Sequence, residues 1–199
     1  PPVLATTAAG AIFDYFELKR WSKPLTPFIA GLIIGLVAQF GASPVVLLAI
    51  GISAMAIKFL VKFDNRHIFN PAASGLFMGM IFLSSYPSWW SGGYHIWAFL
   101  IWIPIFLYKF KRWAPMVGFL IPVVVFNGIN VLLSASLLLF ISVMLIEPKT
   151  SPADMKNGII YGLVVAFTYF VIVATLAIDP FIPALLVGNL TGKVLSRYT

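Results

Sequence analysis

All 13 Lys and Arg residues of this 199-residue chain gather at alternate ends of its apolar runs. Nine runs can be drawn, approximately Val3–Leu18, Leu25–Phe40, Val45–Phe63, Pro71–Ser84, Ile96–Tyr108, Pro115–Phe126, Ile129–Ile146, Gly158–Ala177 and Phe181–Val194. Lys19, Arg20 and Lys23 follow the first; Lys58, Lys62 and Arg66 close the third; Lys109, Lys111 and Arg112 follow the fifth. Lys149 and Lys156 follow the seventh, and Lys193 and Arg197 the ninth. The breaks 41–44, 85–93, 127–130 and 178–182 hold no Lys or Arg. Consecutive bilayer crossings collect their basic residues on the cytoplasmic side in this way. The pattern predicts an all-α polytopic membrane protein of about nine transmembrane or half-membrane helices. It is expected to form a single integral membrane domain over residues 1–199, in the cell (plasma) membrane, with the Lys/Arg-rich loops cytoplasmic and Pro1 outside.

Composition agrees. The chain is 61% hydrophobic and 10% charged, where soluble domains are about half apolar and about one quarter charged. The formal charge of +7 is dispersed between apolar runs and forms no contiguous basic stripe, which argues against nucleic acid as a partner. With no cysteine, disulfide frameworks, thiolate metal sites and thiol catalysis are excluded. His67 and His95 fall on opposite sides of the proposed topology, so they cannot jointly ligate a haem or metal. No Ser-His-acid, paired-carboxylate or phosphate-loop pattern is present, which excludes a self-contained hydrolase or ATPase. The Pro-Pro start without Met is expected to lack a natural N-terminal piece, and a preceding helix would restore a cytoplasmic start. The first run is no signal peptide, because it has no basic leader and carries Asp14 and Glu17 near its inner end, where they are expected to form an interfacial charge cluster with Lys19 and Arg20.

Two runs are short. Pro71–Ser84 and Pro115–Phe126 would span about 20 Å as helices, against a hydrocarbon core of about 30 Å. They read either as half-helices, tolerated at membrane depth where protein or a cavity satisfies the freed backbone, or as tilted neighbours with interfacial residues. A weak internal repeat joins Lys23-Pro-Leu-Thr-Pro27 leading into Gly31–Ala38 with Lys149-Thr-Ser-Pro152 leading into Gly158–Ala166.

Chemistry concentrates in two places. In Asp64–Gly75 a polar turn enters a helix through Asn70-Pro71; Asn suits the cap and Pro the first helical position. Ala72, Ala73, Ser74, Gly75 and Gly79 then allow a backbone or a flat ligand to approach closely, and the helix N-terminus offers amide donors to an anion or carbonyl. In Glu147-Pro-Lys-Thr-Ser-Pro152-Ala-Asp154 two prolines shape a polar turn at the end of an apolar helix. The candidate cofactor-binding residues are Asn70, Pro71, Ser74, Gly75, Lys149, Thr150, Ser151 and Asp154; no catalytic or metal-ligating residue stands out. Tyr86, Trp89, Trp90, Tyr94 and Trp97 are expected to anchor at the outer headgroups. Asn127, Asn130 and Asn189, near run ends, are expected to act as helix glue or caps.

The elements Asn70-Pro71-Ala72-Ala73 and Glu147-Pro-Lys-Thr-Ser-Pro152, with the ending Asp179-Pro-Phe-Ile-Pro183 through Gly188-Asn189, resemble the NqrB/RnfD family. These are membrane subunits of sodium-pumping NADH:quinone oxidoreductase and of Rnf electron-transport complexes. The resemblance implies a pseudo-symmetric, urea-transporter-like helical bundle, flavin-linked electron transfer, and other membrane subunits of a complex as partners beside the lipid bilayer. The family attaches FMN covalently through the Thr of Ser-Gly-Ala-Thr, whereas this chain reads Ser74-Gly75-Leu76-Phe77. Any FMN or riboflavin is therefore expected to be non-covalent. The alternatives are a channel or transporter for a small polar solute, and a non-catalytic structural subunit of a larger membrane enzyme complex.

Overall fold

The computed structural model describes residues 1–19, 25–64, 66–91 and 96–195. The chain divides into two compact units, residues 1–90 and 91–199. Among the described residues nine α-helices carry the fold, beside one two-residue hairpin and two short helical turns of other pitch.

The first unit holds α1 (Pro2–Leu18), α2 (Leu25–Val37), α3 (Pro44–Leu60), the antiparallel pair β1 (Lys62–Phe63) and β2 (Arg66–His67), and α4 (Pro71–Leu83). Small residues set the helix spacing. A methyl group added at Gly31 of α2 would lie 2.3 Å from Thr6 Oγ1 of α1, and one at Gly51 of α3 would lie 2.9 Å from Ala5 Cβ. Phe13 stacks on Phe59 with ring centroids 4.9 Å apart. The pairings 5–51 and 13–59 ascend together, so α1 and α3 run parallel, with α2 antiparallel to α1. Gly75 of α4 abuts Ala54 Cβ and the Ile50 carbonyl, each 2.6 Å from a methyl placed there, and Gly79 abuts Ile50; α4 is therefore antiparallel to α3. This order brings Lys19, Lys58, Lys62 and Arg66 to one end of the unit, where Lys62 forms an ion pair with Glu17. Arg20 and Lys23 lie outside the described residues.

At the opposite end, residues 84–90 fold back over the C-terminus of α2. Val37 O accepts from the N–H groups of Ser88 and Trp89, Ala38 O from Ser88 Oγ, and Gly35 O from Trp90 Nε1. These bonds satisfy carbonyls that a helix end otherwise leaves unpaired. Trp89 is only 5% exposed, so it is buried and is no exposed headgroup anchor. Tyr86 and Trp90 remain exposed; Tyr94 and the Trp97 side chain lie outside the described residues.

The second unit holds α5 (Ile96–Phe110), α6 (Trp113–Asn127), a 3₁₀ turn (Ile129–Leu133), α7 (Ala135–Leu139), a π turn (Phe140–Leu145), α8 (Met155–Thr175) and α9 (Phe181–Leu195). The run predicted as one helix over Ile129–Ile146 is thus interrupted at Ser134, between the 3₁₀ turn and a continuous helical stretch Ala135–Leu145 that changes pitch at Phe140. Gly128, at φ 78°, ends α6, and Ser134 caps a fresh start by accepting from Leu137 N–H. Serines offer the backbone local bonds that compete with a continuous helix.

Two glycine-lined helix interfaces organise this unit. Methyl groups at Gly158 and Gly162 of α8 would meet Ala114 Cβ at 2.8 Å and the Pro115 carbonyl at 2.3 Å, and one at Gly118 of α6 would meet the Ile159 carbonyl at 2.4 Å. The numbers ascend together, so α6 and α8 are parallel. Gly188 of α9 packs on Val165 and Tyr161, and Gly192 on Tyr161 and the loop at Thr150, making α9 antiparallel to α8. Phe119, Phe140, Tyr169 and Phe181 form a ring cluster between these elements. Lys109, Lys111, Arg112, Lys149, Lys156 and Lys193 consequently share one end of this unit also; Arg197 lies outside the described residues.

The glycine-rich helices of the proposed repeat, α2 and α8, each dock on an earlier helix, but with opposite polarity. One described helix, α8 with 21 residues, is long and apolar enough to cross a bilayer by itself; the others have 17 residues or fewer.

Candidate functional site

The two motif regions belong to different units. Asn70, Pro71, Ser74 and Gly75 cluster in the first, and Lys149, Thr150, Ser151 and Asp154 in the second.

At the start of α4, Asn70 is the cap that its position before Pro71 predicts. Its Oδ1 accepts from Ala73 N–H at 3.0 Å, its carbonyl accepts from Ser74 N–H at 3.0 Å, and Ser74 Oγ donates to the Pro71 carbonyl at 2.9 Å. Residues 70–76 are all buried. The Ala73 and Ser74 amide donors thus face oxygens of the chain itself, and the hydrogen side of Gly75 faces α3 at contact distance. The close approach that Gly75 permits is made by Ala54 and the Ile50 carbonyl of α3. Asn70, Pro71, Ser74 and Gly75 cap and pack a helix.

The second region is a tight polar knot. Glu147 O accepts from the N–H groups of Thr150 and Ser151 and from Ser151 Oγ, while Thr150 Oγ1 donates to Glu147 Oε2 at 2.9 Å. Asp154 Oδ1 caps α8 by accepting from Asn157 N–H at 2.7 Å. Thr150 and Ser151 are buried with their hydroxyls donating to Glu147, whereas Lys149 and Asp154 are exposed. The hydroxyls expected to meet a cofactor donate to Glu147 and hold the turn closed. Across the described residues, no group of three or more His, Asp or Glu is placed to hold a metal ion; His95 lies outside those residues.

Two residues matter here beyond the sequence candidates, together with Asn189. Arg112, at the start of α6, donates from Nη2 to the Pro148 carbonyl at 3.0 Å and clamps the turn from the side. Burial lowers its guanidinium pKa from the ordinary arginine range, opposed by the charge of Asp154. Tyr161 of α8, fully buried, receives a hydrogen bond from Asn189 Nδ2 at 3.0 Å, and its hydroxyl stands 3.5 Å from the Leu145 carbonyl at the end of the π turn. Asn189 is wholly buried within α9, away from the helix ends, and serves as the interhelical link that sequence reasoning expects of it. A single Arg among lysines and a Tyr between two glycine contacts were the available signals for Arg112 and Tyr161.

No family model, curated protein or solved structure matches the chain.

Proposed function

We propose that the chain is an integral membrane subunit of an electron-transport complex of the NqrB/RnfD kind, and that its own contribution is structural. It provides a helical scaffold against which other membrane subunits and lipid pack.

The observation that carries this reading is the segregation of charge and apolar surface. In each unit the described Lys and Arg residues gather at one end, while the helix flanks expose large apolar side chains such as Phe40, Phe82, Ile101, Val125, Phe126 and Phe167. A water-soluble monomer rarely leaves so much apolar wall uncovered, whereas a bilayer takes up that surface and leaves the basic ends at the cytoplasmic headgroups. The helices of 13 to 17 residues are accommodated by tilt, local thinning or burial among neighbours. Both family-like motifs are engaged in caps, turns and close packing, which supports scaffolding over flavin binding by this chain alone.

The test is expression with its neighbouring gene products and mild detergent purification, followed by an absorbance spectrum before and after acid precipitation. The chain is expected to resist alkaline extraction from membranes, to co-purify with partner subunits in fixed stoichiometry, and to be colourless when isolated. Acid-released flavin bound to the isolated chain would refute the structural role in favour of electron carrying. Solute uptake by vesicles holding the chain alone would instead establish a channel.

A further inference from the structure

Resting on the membrane reading above, we infer that the first unit selects a shell of phospholipids with short acyl chains, within which the bilayer is thinner than its usual hydrocarbon core of about 30 Å. Its helices set the height of the apolar wall. In α1 the apolar run from Pro2 ends at Asp14, about 18 Å along the axis. In α3, Lys58 lies in the last turn, about 21 Å from Pro44. The caps of α4, Asn70 and Ser84, stand about 21 Å apart, and all of α2 is 13 residues, about 20 Å. These lengths agree with one another, and the exposed side chains Leu32, Leu48, Ile52 and Ile81 lie between the limits they set.

Both ends of the wall resist deeper burial. At the basic end Lys62 pairs with Glu17, and although a lysine such as Lys58 can lift its charge along an apolar stem, the short stem of Asp14 cannot. At the opposite end residues 38–43 and 84–90 are non-helical, with Ser43, Ser84 and Ser88 exposed. Irregular backbone of this kind is not stable against lipid hydrocarbon, and those residues include no charged side chain that could reach outward. Tyr86 and Trp90, exposed at the same end, suit the headgroup level. The mismatch of about 10 Å therefore falls on the lipid, which thins to meet a short wall. Shorter acyl chains meet it without deformation. A partner helix laid on the wall would need the same reduced height, so it would move the mismatch outward and leave its size unchanged.

The experiment reconstitutes the full chain in equal mixtures of dimyristoleoyl- and dioleoylphosphatidylcholine, with bromine labels carried by one lipid or the other, and reads tryptophan quenching. The labelled short-chain lipid is expected to quench several-fold more effectively. The preference should shrink in D14L/K58L, where the wall of α1 and α3 extends by about one turn. A second measurement needs no variant: the thermal midpoint of the unaltered chain should be highest in dimyristoleoyl bilayers and fall through dipalmitoleoyl to dioleoyl. Equal quenching by the two lipids, a preference for dioleoyl, or a midpoint highest in dioleoyl overturns the inference and leaves the membrane reading intact. Absence of quenching by either lipid removes the membrane reading itself, and this inference with it.

Discussion

Replacing Gly162 with alanine tests how the second unit is held together. The added methyl carbon would stand 2.3 Å from the Pro115 carbonyl oxygen, 2.7 Å from Phe119 N and 2.8 Å from Gly118 C. All three are backbone atoms of α6, so no rotamer change relieves the clash. Restoring a carbon–oxygen contact of about 3.3 Å requires α6 and α8 to separate locally by about 1 Å. A gap of that size forfeits a quarter to a half of the dispersion energy of each facing atom pair. Overpacking of this kind costs about 1–3 kcal/mol, against which alanine's helix propensity returns at most about 1 kcal/mol. The packing loss prevails. Gly35→Ala is the control, since the added methyl there meets only Pro2 Cγ at 3.7 Å, an ordinary contact, and should be neutral or slightly stabilising. With about 2–4 °C of midpoint shift per kcal/mol for a chain of this size, thermal melting in mild detergent followed by circular dichroism resolves the two outcomes. A Gly162→Ala melt indistinguishable from the unaltered protein, or a Gly35→Ala loss as large as that of Gly162→Ala, would refute the packing argument.

Asn70→Ala removes the acceptor for Ala73 N–H in a buried cap and should destabilise the first unit by about 1–2 kcal/mol, with Asn70→Ser recovering most of the loss in the same melt. Arg112→Gln releases the Pro148 carbonyl, so trypsin should cleave after the exposed Lys149 several-fold faster, while cleavage after Lys58 stays unchanged. Tyr161→Phe leaves Asn189 Nδ2 without its tyrosine acceptor and should cost about 1–2 kcal/mol. Adding Asn189→Leu should then cost less than its effect alone, a non-additivity that a double-mutant cycle measures.

How far the fold was legible depended on which physical signal marked each element. Charge alternation could be read directly, because a basic side chain is expelled from an apolar bundle wherever the chain turns; the helix directions place the described lysines and arginines of each unit at one end, as that pattern predicts. Asn70-Pro71 announced its helix start because cap chemistry is local. The seventh run was read as continuous because its composition is apolar throughout, whereas Ser134 interrupts it by capping a fresh helix start. Trp89 looked like a surface anchor because it neighbours Trp90, yet the fold-back onto Val37 and Ala38 turns its ring inward.

The candidate site was legible as a set of conspicuous residues but not as a function. Gly75 and the α4 N-terminus are equally suited to a ligand and to another helix, and which one arrives is decided by the distant residues Ile50 and Ala54. Thr150 and Ser151 could have faced outward, but the turn at Pro148 closes them onto Glu147. What the sequence determined by itself was the helical class, the caps and the sorting of charge, because these depend on each residue's own preferences and on neighbours a few positions away. Only the tertiary structure decided which glycine faces which backbone, that α6 and α8 lie parallel, and that the motif side chains are spent on the fold itself, because those contacts join residues far apart in the chain.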